Sequence, residues 1–326
     1  MPPFSPSPLA PFRIEPKFTA RIWGFRDLRP WFDHVAQGDP IGEVWLTGDD
    51  CAIATGPHAG QRLDALFAEL HESLLGPGAS ERGSPLLIKV IFAREKLSVQ
   101  VHPDDALAQK YGFPRGKTEC WYALAAEPGA EVAVGLRQGT DLGKIEKQIQ
   151  DGTLESSLNV LPVSAGEMIF VDAGTVHAIW PGSILLETQQ NCDLTYRMYD
   201  YGRPRELHIE KSLEATKLAT QAGKVAPTVL DDRTVLVDTA YFRVERVPVA
   251  GNLTSGALRG RALAPGLAYL FAAAGSARIA GPGFEPVHLP ARGIVAVPAV
   301  APEFTVEDGG GLDLIRITPN WPAKPA

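Results

Sequence analysis

The chain has 326 residues, 45% of them apolar and 21% charged, the balance of a folded globular protein rather than a disordered one. No apolar run reaches the roughly 18 residues of a membrane span, and the greasiest stretch, LLIKVIFA, is broken by Lys89. The formal net charge is −7, with Lys and Arg scattered, so the basic stripe that nucleic-acid binding requires is missing. Three cysteines (Cys51, Cys120, Cys192) without CxxC spacing fit a reducing, cytoplasmic setting better than a disulfide framework. The opening MPPFSPSPLAP lacks the order of a secretion signal and reads as an extended arm.

In chain order, short apolar runs alternate with turns drawn from 32 glycines and 28 prolines. EVWLT, LLIKVIFA, LSVQVH, ECWYALAA, EVAVGL, EMIFVDA, SILLETQQ and LTYRMYDY read as strands of four to eight residues. Strands at this density predict a mainly β sandwich or barrel rather than a doubly wound sheet. Helices are few. RLDALFAELHESLLG sets Leu63, Leu66, Phe67, Leu70 and Leu74 on one face. DLGKIEKQIQDGTLESSLNV opens at Asp141 as N-cap, and RELHIEKSLEATKLAT is a third candidate. After the AGKVAPTVLDD linker the strands resume with one histidine, His288, and few carboxylates to join it. This texture predicts two β modules, 1–228 with inserted helices and 229–326, with the chemistry in the first.

Alternation picks out the candidate site. In SVQVHPDD, Gln100 and His102 lie two apart and share a strand face. In KTECWYAL, Glu119 and Trp121 share a face, with Lys117 two residues before. In AGEMIFVDAGTVHAI, His177 follows a turn at Gly174. Two imidazoles, a carboxylate and an amide oxygen make an N2O2 set that suits Zn²⁺, one per chain, with positions open to substrate oxygens. Co²⁺ or Mn²⁺ would also fit such a set. Each residue has a plainer reading too. A lone strand-end histidine is commonly satisfied by a carbonyl, and a strand Glu or Lys is commonly a solvated edge charge.

These residues carry a resemblance. From RIWG through GEVWLTGDD, LLIKVIFAREKLSVQVHPDD, RGKTECWYAL, DAGTVHAI and LLETQQNCDLTYRMYDYGRPREL, the chain resembles the short bacterial, metal-dependent mannose-6-phosphate isomerases built on cupin barrels. The resemblance implies two cupin-like (jelly-roll) β-barrels, the second degenerate and without metal ligands. It implies Gln100, His102, Glu119 and His177 as ligands and Arg197 as the catalytic arginine. The second cupin motif falls on Gly166, Asp172, Gly174 and His177, with Asp172 where proline is usual, and Cys192 stands where serine is common.

The implied activity interconverts mannose 6-phosphate and fructose 6-phosphate. A base must move a proton between C1 and C2, and cationic groups must hold the developing oxyanion. Glu187, ten residues before Arg197, is the carboxylate expected to act as acid/base; alternatively it only organises the site by accepting from Arg197 or Lys117. Lys117 and Arg197 are expected to bind the anionic substrate, joined by Arg203 and Arg205 against the overall negative charge. Arg197 could instead pair with Asp193 or Asp200. His34, His58, His71, His208 and His288 are expected at the surface, and Trp23, Trp45 and Trp121 in the core. A competing function is a catalytically silent cupin that binds a sugar or sugar phosphate as a sensor, and a metal-dependent oxygenase is a third.

Overall fold

Period-two alternation decides the fold around the candidate residues. Along Val99–Val101, Val99 and Val101 face one way and Gln100 the other; along His177–Ile179, Ala178 opposes its two neighbours. The computed structural model describes residues 9–79, 83–249, 251–259 and 266–320. The proline-rich start, expected as an arm, lies largely outside the described residues.

The chain divides into two compact units. The first comprises Phe18–Val44 and Leu87–Ala226. A five-stranded antiparallel sheet runs in the order Tyr196–Tyr199, Val99–Val101, His177–Ile179, Glu131–Leu136, Leu158–Pro162. A seven-stranded sheet runs Gly223–Val225, Met168–Val171, Glu119–Ala126, Ser183–Gln190, Leu86–Phe92, Ile41–Trp45, Lys17–Phe25. Trp121, Ile91, Ile169 and Leu185 of the larger sheet cluster with Val132, Val134 and Ile179 of the smaller. Each such buried side chain stabilises the unit by roughly 1.5–3 kcal/mol. The opposite face of the smaller sheet is covered by the helices Leu142–Asp151 and Ile209–Ala215, through Ile145, Ile149 and Ala215.

The second unit is built from the described residues up to Lys17, Trp45–Leu86, and the chain from Pro227 on. Its seven-stranded sheet brings Phe12–Ile14 beside Ile294–Val297, and a four-stranded sheet closes the other side of a core around Leu270, Ile279, Val306 and Leu314. The segment 45–86, expected within the first module, therefore belongs with the C-terminal strands, and so does the helix Leu63–Leu75. One junction between the units falls between Ala226 and Pro227, within AGKVAPTVLDD.

Several elements match their sequence signals. Glu119–Ala126, Glu131–Leu136 and Ser183–Gln190 coincide with the apolar runs that suggested them. The helix Leu63–Leu75 buries Leu63, Leu66, Phe67 and Leu74; Leu70 breaks the pattern, at φ −122, ψ 30 and only half-buried. Asp141 caps its helix by accepting the Lys144 N–H at 2.8 Å. That helix is shorter than the periodicity suggests: Gly152 at φ +71 ends it, and a 3₁₀ turn, Leu154–Ser157, leads into a strand.

Candidate metal centre and the cavity beside it

Strand register gathers the candidate residues. His177 lies opposite Gln100, and Arg197 lies opposite Gln100 from the other side. In the larger sheet Glu187 lies opposite Trp121. His102, Glu119 and His177, all buried, thus place their ligand atoms within 4.8 Å of one another. It is the one such His/Cys/Asp/Glu group found among the described residues.

Both imidazoles are oriented from behind. The Nδ1–H of His102 donates to the Leu194 carbonyl at 3.0 Å, and that of His177 to the Thr175 carbonyl at 2.9 Å. The Nε2 lone pairs therefore turn inward, each 3.5 Å from a Glu119 oxygen. Burial pushes the His177 pKa down to about 4 and that of His102 well below its usual value, aided there by Lys117, so both rings are neutral. Glu119 Oε1 is buried with no hydrogen-bond partner. Two lone pairs and a carboxylate converging in a dry site call for a cation. The Lys117 ammonium already answers part of that demand, 2.9 Å from Glu119 Oε2 and 3.0 Å from His102 Nε2. The residues present fit a divalent ion. Gln100 Nε2 stands 3.2 Å from His177 Nε2, and a half-turn of the amide would bring its oxygen to the same place.

Beside this cluster opens a cavity of about 400 Å³, lined by Gln100, Lys117, Glu187, Arg197 and Arg205, among others. Its far wall is a chain of alternating charges. Arg21 meets Glu43 at 2.9 Å, Lys89 meets Glu43 at 3.7 Å and Glu187 at 3.0 Å, and Lys117 lies 3.9 Å from Glu187. Trp121 donates its indole N–H to Glu187 Oε2 at 2.9 Å. Burial raises the Glu187 pKa, but Lys89 and Lys117 outweigh it and hold the carboxyl below its usual value, hence ionised. Burial, and then the charge of Glu187, push Glu119 up to about 7.

The structure thus brings together Gln100, His102, Lys117, Glu119, His177, Glu187 and Arg197. Glu187 takes its bonds from Trp121 and Lys89 rather than from Arg197. Arg203 does not line the cavity; it turns to Asp200 at 3.3 Å and to the Lys96 carbonyl at 2.6 Å. Asp200 is occupied by Arg203 and Arg205 rather than by Arg197. His208, expected at the surface, accepts the Arg197 backbone N–H at 3.1 Å. Sequence reasoning missed Lys89 and Glu43. The available signal was a lysine in the middle of a strand whose seven residues are all apolar but one, and all of which are buried.

A mainly β protein with two antiparallel sheets around a buried His/Glu/His cluster and a charge-lined cavity belongs to the class of β-sheet proteins equipped to bind a metal. The relatives narrow this. Residues 12–138 match the type I phosphomannose isomerase catalytic domain. The mannose-6-phosphate isomerase of Streptococcus mutans is 35% identical over 257 residues, covering 74% of this chain and 80% of its own length. A probable mannose-6-phosphate isomerase of Bacillus subtilis, GmuF, is 32% identical over 312 residues, covering 91% of this chain and 96% of its own. The crystal structure of mannose 6-phosphate isomerase from Bacillus subtilis superposes with a TM-score of 0.83 at 28% identity, covering 95% of this chain and 99% of that one. The chain belongs to the mannose-6-phosphate isomerase (phosphomannose isomerase) family.

Proposed function

We propose that this protein interconverts mannose 6-phosphate and fructose 6-phosphate, using one divalent ion held by His102, Glu119 and His177 with Gln100 as a fourth ligand. The observation that carries the reading is the pair of neutral, rear-anchored imidazoles converging on Glu119 at the edge of a cavity that also presents Lys117, Glu187 and Arg197. Two nitrogens and two oxygens favour zinc. When bound, the ion would polarise the sugar oxygens and lower the cost of charge developing on them.

The chain's own residues supply the rest. Glu187, kept ionised by Lys89 and Lys117, accepts the proton from C2 and returns it to C1. Arg197, a permanent cation on the cavity wall, donates to the oxygen on which negative charge builds. Lys117, held against Glu119 and His102, steadies the same oxygens. The relatives' names supply the substrate. We read each pair of sheets as a cupin-like barrel, with the chemistry in the first unit. A cytoplasmic location is supported by three thiols that are all buried and unpaired, and among the described residues no helix is long and apolar enough to cross a membrane.

The test is conversion of mannose 6-phosphate to fructose 6-phosphate before chelation, after it, and with Zn²⁺ added back. Activity lost and restored is expected. No turnover by protein shown to hold metal would overturn the reading. Glu187→Gln should lower kcat by about 10²-fold or more while leaving metal content intact; a variant that instead sheds metal with normal residual turnover would reduce Glu187 to an organiser.

A further inference from the structure

The strand bearing Arg197 ends in a turn that works against its own sequence. Tyr201 has φ +57 and Gly202 φ +79, and the Arg203 N–H donates to the Asp200 carbonyl at 3.0 Å, the pattern of a primed β-turn. Glycine accepts such a backbone freely; tyrosine does not. Tyr201 is held there by its neighbours. Its ring packs on Tyr199 at 5.0 Å, Lys96 and Arg203 lie over it, and its hydroxyl donates to Glu155 at 3.1 Å. A strained residue fixed from several sides marks a turn whose shape is used.

The turn folds the next residues back onto Asp200, which is 2% exposed. Arg205 grips it as a fork, Nε to Oδ2 and NH2 to Oδ1, each at 2.7 Å. The fork takes two of the five N–H donors of a guanidinium and leaves the outer edge unspent. Arg205 lines the cavity, and so does Arg197, whose NH1 donates to the Glu206 carbonyl at 2.8 Å within the same returning segment. After burial, the charge of Arg205 is what most lowers the Arg197 pKa, so two cations face one space. A further acid on the cavity wall, Asp193, lies in the field of Lys89, which it helps to keep charged.

We propose that Arg205 binds the phosphoryl group of the substrate, and that Asp200 is a positioning residue that aims Arg205. A phosphoryl group near −2 matches the guanidinium edge that the fork leaves free on Arg205, whereas Arg203 has its donors turned to Asp200 and the Lys96 carbonyl. The inference rests on reading the cavity as a sugar-phosphate site.

The experiment measures KM and kcat for mannose 6-phosphate, and competitive inhibition by inorganic phosphate, in the metal-loaded enzyme. Arg205→Ala should raise KM and weaken phosphate inhibition in parallel, each by roughly 10- to 100-fold, with kcat changed less than about threefold. Arg205→Lys should recover part of both. Asp200→Asn should shift both in the same direction but less, and should add almost nothing in the Arg205→Ala background. Unchanged KM and phosphate inhibition in Arg205→Ala would overturn the proposal, as would a loss confined to kcat. An Asp200→Asn effect that persists undiminished without Arg205 would remove Asp200 from its role. A wild-type enzyme with no turnover of mannose 6-phosphate would instead overturn the function proposed above. Phosphate binding that depends on Arg205 in such an enzyme would leave the anion site standing.

Discussion

Glu119 in the first unit and Glu245 in the second are both fully buried carboxylates set against cations, yet their surroundings differ in kind. Around Glu245 the partners close on themselves. Arg316 donates at 2.6 Å, Arg243 lies at 2.8 Å and Arg233 at 3.4 Å, and Arg233 also bonds Asp232 and the carbonyls of Ala257 and Leu258. Those bonds tie the strands Thr234–Asp238, Phe242–Val247 and Asp313–Pro319 to the segment after Asn252–Thr254. Around Glu119 the series of alternating charges ends on two neutral imidazoles whose lone pairs turn inward, beside open volume. A buried ion pair by itself is weak evidence of either stability or function. Lone pairs left over next to a cavity are what separate the two clusters.

The same one-atom change made at both carboxylates tests that distinction most severely. Glu119→Gln should reduce turnover by about 10⁴-fold, equivalent to roughly 5.5 kcal/mol of barrier, and bring metal content from one per chain towards none, as read by elemental analysis and a coupled assay. Retained metal with full activity would mean the cluster is as structural as the other. Glu245→Gln should leave metal content and KM untouched and lower unfolding stability by about 3–5 kcal/mol, because three guanidiniums lose their charged partner. Urea denaturation followed by circular dichroism measures it. Loss of bound metal without loss of stability in that variant would erase the contrast.

How much of this the sequence disclosed depends on the range of the interaction. Same-face placement of Gln100 with His102, and of Lys117 with Glu119, follows from strand period alone, and the structure keeps it. The meeting of His177 with Gln100, or Glu187 with Trp121, is a matter of register between strands 66 to 77 residues apart, as the bonds joining those pairs span. No local pattern encodes that, and only the order of family-like blocks pointed to it. Lys89 was read as an interruption of an apolar run, although Lys89 and Ile91, two apart, line the same cavity. The allotment of 45–86 to the second unit was equally hidden. It arises because Phe12–Ile14 pairs with Ile294–Ala296, nearly the length of the chain away, and the same strand bridges Ile53 while the Ala299 N–H donates to the Leu74 carbonyl.

A smaller perturbation sharpens the comparison from within the site. A Cβ at Gly116 would lie 2.5 Å from the Pro103 oxygen and 2.5 Å from the Asp104 carbonyl carbon, backbone atoms that cannot swing aside. Gly116→Ala should therefore cost about 1–3 kcal/mol of stability and displace Lys117, the next residue, from His102 and Glu119. The expected signature is an activity loss larger than the stability loss alone explains, measured by turnover on folded, metal-loaded protein. Equal activity per folded molecule would show that Lys117 tolerates displacement.

The least effect is expected on the other face of the same sheet. The helix Leu142–Asp151 packs Ile145 and Ile149 against the side of the five-stranded sheet that faces away from His177, and its N-terminus is capped by Asp141. Asp141→Ala removes that acceptor and should lower stability by about 1 kcal/mol. Metal content, KM and kcat should be unchanged, because Ala178 and Ala133 stand between helix and cavity with their neighbours His177 and Val134 turned the other way. A change in metal affinity on losing this cap would mean that the two faces of the sheet are coupled, and that the site's rigidity is set by the helices as well as by strand register.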